Sequence, residues 1–311
     1  MKVVIAGGTG LIGTAVVRAL AEGGHEPVVL TRRAPEEVRG LPSGARPARW
    51  SPSEPGAGWA RTLEGAEAVI NLAGASVGTR PWTAGRRREI LASRLRATST
   101  LVAAIAGLPA PTRPRALLNA SGVDYYGERG DEALDEVSTP GDSAFLAGVC
   151  VRWEAAARAA EPLGVRVVLL RTGLVLAREA LALRLMALPF RFFAGGRTGS
   201  GRQWVSWVHL DDVAGMYELA ATNAEVTGPL NVVGPEPVRQ AELAAEIGRV
   251  LHRPAWLPQP APLVRMAMRQ QSELLLVGHR VLPRVALAQR YEFRHPNLRR
   301  ALEDSLGPRA G

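Results

Sequence analysis

The stretch VVIAGGTGLIG (Val3–Gly13) constrains this chain more than any other part of it. A short apolar run, Val3 to Ala6, reads as a buried strand. Thr14 to Gly24 reads as a helix that ends at the Gly23-Gly24 pair. Between them, Gly7, Gly10 and Gly13 follow a GxxGxxG spacing. Glycines at such a turn let the backbone approach a diphosphate, and the helix N-terminus adds unpaired N–H groups and partial positive charge. Gly7, Thr9, Gly10, Leu11, Ile12 and Gly13 are therefore expected to hold a dinucleotide.

The second strand, Val28 to Leu30, decides which dinucleotide. A carboxylate at its end would bond a ribose 2′-OH, but the chain has Thr31, Arg32 and Arg33 there. A guanidinium beside the 2′ position favours an extra phosphate, so NADP(H) is expected over NAD(H). Asn71, Leu72, Ala73 and Gly74 follow another strand, where small residues let an adenosine or ribose lie against the backbone.

Strands at Ala68–Gly74, Ala116–Gly122 and Val165–Gly173 alternate with helices at Arg86–Ala106 and Ser143–Glu161. The proline- and glycine-rich stretch from Ala34 to Gly58 reads as loop-like, with Trp50 ending a brief strand. This rhythm predicts an α/β fold: a Rossmann-type, doubly wound parallel sheet. After Gly173 it breaks. Ala180–Leu188, Gln240–Leu251 and Ser272–Gly278 read as helices around a glycine-rich loop, and LNVVG (Leu230–Gly234) as one more core strand. The expected division is a nucleotide-binding domain over 1–175 with 205–234, a smaller C-terminal substrate lobe over 176–204 with 235–305, and a tail over 306–311. In the loop, Gln203 and Trp204 are candidates for the wall of a substrate pocket.

The 311 residues carry a formal charge of +9. Lys2 is the single lysine, so arginine supplies nearly all of the positive charge. No alternation of aromatic and basic residues accompanies it, and nucleic acid is not the expected partner. No apolar run has membrane-spanning length, and one cysteine, Cys150, rules out an internal disulfide; a cytoplasmic location is expected. No cluster shows metal-ligand spacing, so no metal is expected. Nothing in the pattern bears on oligomeric state.

GGTGLIG, NLAGA, Ser93-Arg94, NASGVDYYG, LRTG and WVHLDDVA together resemble an extended short-chain dehydrogenase/reductase. More narrowly, the chain resembles the atypical epimerase-like subfamily of NAD-dependent epimerase/dehydratase proteins. FLAGVCVRWE, SGRQWVSWVH and LLLVGHRVLPRVALAQRYEFRHPNL belong to the match, the last resembling that subfamily's C-terminal domain of unknown function. The resemblance implies that Arg94, Ala120 and Ser121 also border the cofactor, and that Ser121 stands where the superfamily has its catalytic serine.

The same resemblance exposes a gap. Most of the superfamily uses a Tyr-x-x-x-Lys pair, one helical turn apart, to move a proton while the nicotinamide exchanges hydride. Here the helix offers Leu146 with Cys150, or Phe145 with Val149, and Lys2 lies elsewhere. The tyrosines are Tyr125, Tyr126, Tyr217 and Tyr291, none on that helix. Tyr125 or Tyr126 could donate a hydrogen bond at the nicotinamide side, with a pKa near ten in the absence of a cation. At the WVHLDDVA junction, Asp211 or Asp212 is expected to cap the next helix. Two functions stay open: an NADP(H)-dependent oxidoreductase or epimerase-like enzyme on a small polar substrate, and a non-catalytic NADPH sensor or scaffold.

Overall fold

The computed structural model describes residues 1–56, 58–141 and 144–307. Its first part runs β1 (Lys2–Ala6), α1 (Leu11–Glu22), β2 (Glu26–Thr31), β3 (Arg46–Arg49), β4 (Ala68–Asn71), α2 (Ala84–Ala106), β5 (Ala116–Gly122), β6 (Ala133–Leu134), α3 (Phe145–Arg158) and β7 (Arg166–Thr172). There follow β8 (Leu174–Leu176), α4 (Leu181–Arg191), β9 (Trp204–Val205), β10 (Trp207–His209), α5 (Leu210–Thr222) and β11 (Gly228–Val232). The C-terminal part holds β12 (Val238–Arg239), α6 (Gln240–Val250), α7 (Ala261–Met268), α8 (Glu273–Leu276), β13 (Arg280–Val281), α9 (Arg284–Ala288) and α10 (Leu298–Leu306).

Seven strands form one parallel sheet in the order β11-β7-β5-β4-β1-β2-β3. Their near-continuous Val, Ile, Leu and Ala runs are buried on both faces, as a parallel sheet between helix layers requires. One face packs Val3, Ile5, Val168 and Leu170 against Val16 and Leu20 of α1 and Val213 and Met216 of α5. The other packs Val4, Val69, Leu117 and Leu169 against Ala97, Leu101 and Ile105 of α2 and Ala157 of α3. The expected doubly wound sheet is therefore present.

A third core lies outside the sheet. Leu183 and Phe190 of α4, Leu243 and Ile247 of α6, and Ala301 and Leu302 of α10 close around Trp207.

The brief strand read as ending at Trp50 is β3, an edge strand of sequence RPAR that pairs with β2. Two local expectations need correction. The helix expected to start at Ser143 starts at Phe145, and Ser143 itself lies outside the described residues. The helix expected over Ser272–Gly278 is a tighter 3-10 turn, Arg269–Ser272, followed by the single turn α8.

Candidate functional site

The strand order reverses direction between β1 and β4, and the crevice at their C-terminal ends is where such sheets take ligands. Gly7, just past β1, has φ +83°, and a methyl group there would lie 2.7 Å from the Leu72 carbonyl carbon. A methyl group on Gly13 would overlap the Gly7 carbonyl oxygen. The glycine turn is thus wedged against the turn after β4, with no room for side chains. Gly10 is the N-cap of α1 and brings no side-chain acceptor, so the first amides of the helix keep their N–H groups for an anion. Thr9, Gly10 and Leu11 are exposed around it, while Ile12 is half-buried. The space and the donor set fit a dinucleotide diphosphate.

At the end of β2, the buried Thr31 hydroxyl accepts the Arg33 N–H at 3.1 Å. That bond turns the chain and leaves Arg32 and Arg33 exposed. Arg49 of β3 is paired in register with Thr31 and is also exposed. This third guanidinium escaped the sequence analysis because it depends on β3 joining the sheet.

Asn71 needs correction as a candidate ligand contact. Its side chain has no exposed surface. The Asn71 amide nitrogen donates to Thr98 Oγ1 (2.8 Å) and Asn119 Oδ1 (2.7 Å), and its oxygen accepts the Ala73 N–H (3.2 Å). Trp153 Nε1 donates to the same Thr98 hydroxyl at 2.9 Å. A buried amide satisfied in this way is a brace, and it sets the course of Leu72, Ala73 and Gly74. Gly74 meets Arg94: a methyl group there would lie 3.1 Å from the arginine Cγ. Arg94 donates through Nη1 to the Ala75 and Ile90 carbonyls and lies over the Trp153 ring.

Ala120 and Ser121 are buried near the end of β5. The Ser121 hydroxyl donates to Glu154 Oε1 at 2.7 Å, and Arg171 grips the same carboxylate through Nε and Nη2, both at 2.9 Å. Arg171 Nη1 also donates to the Tyr126 hydroxyl (3.0 Å), which donates to Asn231 Oδ1 (2.6 Å). Ser121 is thus turned into the interior network. Tyr126 is fully buried, and burial pushes its phenol up to about 12 despite Arg171. These positions correct the expectation that either side chain faces a substrate, and the cation absent from the sequence pattern turns out to be Arg171. Tyr125 stays half-buried, with the Arg171 guanidinium 3.4 Å from its ring centre.

Of the two pairs the sequence offers at that spacing, Leu146, Cys150 and Val149 lie on the buried face of α3 and Phe145 is half-buried at its start. Cys150 Sγ lies 3.6 Å from where a Cβ of Gly122 would be, and burial pushes its thiol up to about 12. A thiol so placed is not a nucleophile. Gln203 and Trp204 act as ties. Gln203 Nε2 donates to the Thr198 and Leu275 carbonyls, both at 2.9 Å, while Trp204 Nε1 donates to Asp131 Oδ1 (3.0 Å) beneath Arg239. Both remain half-buried, joining the glycine-rich loop to the C-terminal part.

That part supplies groups that sequence reasoning missed. Gln271 Nε2 donates to the Val77 carbonyl (3.1 Å), drawing the 269–276 segment over the turn after β4. Glu273 brings a carboxylate whose Oε2 is buried without a partner, and burial, then Asp124, raises its pKa. Asp124 is half-buried in the 3-10 turn after β5, with Oδ2 3.1 Å from the Cβ position of Gly122. His279 is 9% exposed, and burial lowers its pKa while Asp124 and Glu128 oppose that. No local motif links residues so distant in sequence.

The α5 cap also differs from expectation. His209, and neither aspartate, caps the helix: its Nδ1 accepts the Asp211 N–H at 3.2 Å. Asp212 is buried and accepts the Arg294 (2.7 Å) and His295 (2.9 Å) N–H groups. His209, Asp211 and His295 come within reach of one ion, a cluster the sequence spacing did not suggest. Both His209 nitrogens already have partners, with Nε2 3.1 Å from Asp304 Oδ2, so the group is accounted for as a cap and brace.

The sequence profile of the NAD dependent epimerase/dehydratase family matches residues 3–234. The chain belongs to that family. A domain of unknown function, DUF1731, matches residues 259–305, the segment that carries Gln271, Glu273 and His279. The chain is 39% identical over 308 residues to the mouse epimerase family protein SDR39U1, covering 98% of this chain and 99% of the relative. It is 37% identical over 302 residues to the Arabidopsis thaliana chloroplastic SDR39U1 homologue, covering 97% and 86%. Among solved structures, human SDR39U1 (isoform 2) with NADPH superposes with a TM-score of 0.85 at 36% identity, covering 98% of this chain and 99% of that one. No helix among the described residues is long and apolar enough to cross a membrane.

Proposed function

We infer that the protein is an NADP(H)-dependent oxidoreductase or epimerase-like enzyme acting on a small polar substrate. One observation carries the cofactor assignment: a side-chain-free cradle at the N-terminus of α1 beside a strand end that carries Arg32, Arg33 and Arg49 and no carboxylate. The NADPH in the crystal structure of human SDR39U1 supports it.

Gly7 to Gly13 would hold the diphosphate through backbone N–H groups, and Arg32 would pair with the 2′-phosphate. Ala73 and Gly74 would flank the adenosine ribose, with Arg94 behind them. When bound, the nicotinamide supplies or accepts hydride. The chain's own residues orient it, exclude water and handle the proton. The lobe over 176–204 with 235–305 would enclose the substrate.

Binding is tested by titrating the protein with NADPH and NADH and following melting temperature. NADPH should stabilise it at lower concentration; equal effects would reject the arginine assignment. Turnover against carbonyl compounds and nucleotide sugars tests the enzyme class. A non-catalytic NADPH sensor is the second reading, favoured by an α3 that carries neither tyrosine nor lysine. Tight NADPH binding without turnover would select it.

A further inference from the structure

α4 has two apolar faces and a core for only one of them. Leu183, Ala187 and Phe190 face inward onto the cluster around Trp207. Leu181, Leu185 and Leu188 fall at helical spacing on the opposite side, and all three are exposed. Phe192 continues their stripe past the helix end, with 74% of its surface exposed. Arg184 and Arg191 lie along one edge of the stripe, also exposed. A helix apolar on both sides is normally covered on both sides.

The stripe runs into a second exposed segment. Phe193 has φ +59°, a conformation a bulky side chain adopts only under constraint. Its N–H donates to the Phe190 carbonyl (3.0 Å), and its own carbonyl accepts from Trp256 Nε1 (2.9 Å). The Arg253 guanidinium lies 4.6 Å from its ring centre. Phe193 and Trp256 are thereby held outside the core, each more than half exposed.

Charge follows the same surface. The chain has 29 side-chain carboxylates, but none between Glu179 and Asp211 and none between Glu246 and Glu273, the two segments that build this patch. Each segment carries four arginines, of which Arg184, Arg191 and Arg253 are exposed beside the apolar side chains. A second copy packed here would set arginine against arginine with no carboxylate to pair them. We propose that this patch docks the protein on an anionic lipid surface. The leucines, Phe192, Phe193 and Trp256 enter the headgroup boundary, and the arginines meet the lipid phosphates. A bilayer interface takes protruding aromatic side chains without a shaped pocket opposite them. No helix among the described residues is long and apolar enough to cross a membrane, so this patch lies on the surface. The proposal is independent of the cofactor reading.

The test is flotation of the full chain with two kinds of vesicle: phosphatidylcholine alone, and phosphatidylcholine with phosphatidylglycerol in equal parts. The protein should float with the anionic vesicles, leave them as salt is raised, and stay behind with the neutral ones. F192S removes an exposed ring, so it should keep the wild-type Tm while weakening vesicle binding on the order of tenfold. R191E should weaken it by roughly tenfold or more. R115E changes net charge equally at the N-terminal edge of the sheet, where Arg115 is exposed just before β5, and should float as the wild type does. Absence of binding to the anionic vesicles, or equal binding to both kinds, overturns the proposal. Unchanged binding by F192S, or a loss in R115E as large as in R191E, overturns it too. A dimer in sedimentation equilibrium that F192S dissociates would give the patch to a second copy and sink the lipid reading.

Discussion

Arg171 and Glu154 face each other with two parallel 2.9 Å hydrogen bonds, and both side chains are almost wholly buried. The pair ties α3 to β7. Its second role is to use up the Ser121 hydroxyl and, through Arg171, the Tyr126 hydroxyl. Ser121, where the family has its catalytic serine, and Tyr126, a second candidate, are therefore both held in the interior.

Breaking the pair should be costly. Glu154→Ala leaves a buried guanidinium without its anion, and such losses amount to about 3–5 kcal/mol, or a fall in Tm on the order of 10 °C. The double variant E154L/R171M should recover much of that loss, as a calorimetric double-mutant cycle would show. A single variant as stable as the wild type would contradict the role assigned here.

Arg32 is exposed at the end of β2, so replacing it should leave stability nearly unchanged. Arg32→Asp removes a charge-assisted contact of about 1.5–3 kcal/mol. The preference for NADPH over NADH should therefore fall by roughly 10- to 100-fold, read from dissociation constants for both nucleotides. Arg49→Ser should produce a smaller change in the same direction.

Gly13→Ala should abolish the stabilisation by NADPH, because the new methyl group displaces the Gly7 carbonyl and with it the cradle. The free protein should lose about 1–3 kcal/mol from overpacking. Thermal melts with and without nucleotide separate the two effects.

Stability should decline as pH falls below about 6.5, the usual histidine value. Burial lowers the pKa values of both His209 and His279, with His295 adding to the effect at His209. As pH drops, the unfolded chain takes up these protons before the folded one does, so stability is lost between 6.5 and the folded-state values. Above that range the two groups contribute no slope. Glu136 and Glu273, whose pKa values burial raises, act in the opposite sense closer to the carboxylate range. In H279Q the slope of ΔG against pH just below 6.5 should be shallower than in the wild type.

The sequence by itself determined the parts of this protein whose physics is local. VVIAGGTGLIG specifies strand, turn and helix within a dozen residues, because missing side chains and free helix amides are properties of that stretch alone. The absence of a second lysine, and of any tyrosine on the Phe145–Ala156 stretch, likewise excludes the usual catalytic pair without reference to a structure. Tertiary packing decided what depends on which faces meet. It turned Ser121 and Tyr126 inward to Glu154 and Arg171, and made Asn71 a brace for its neighbours. It gave the α5 cap to His209 because Asp212 is taken up by the 291–295 segment. It also drew the 269–276 segment over the turn after β4, where Gln271 donates to the Val77 carbonyl. Hydrophobic periodicity marks which face of an element is buried, whereas the partner that buries it is chosen by the shape and charge of segments far away in sequence.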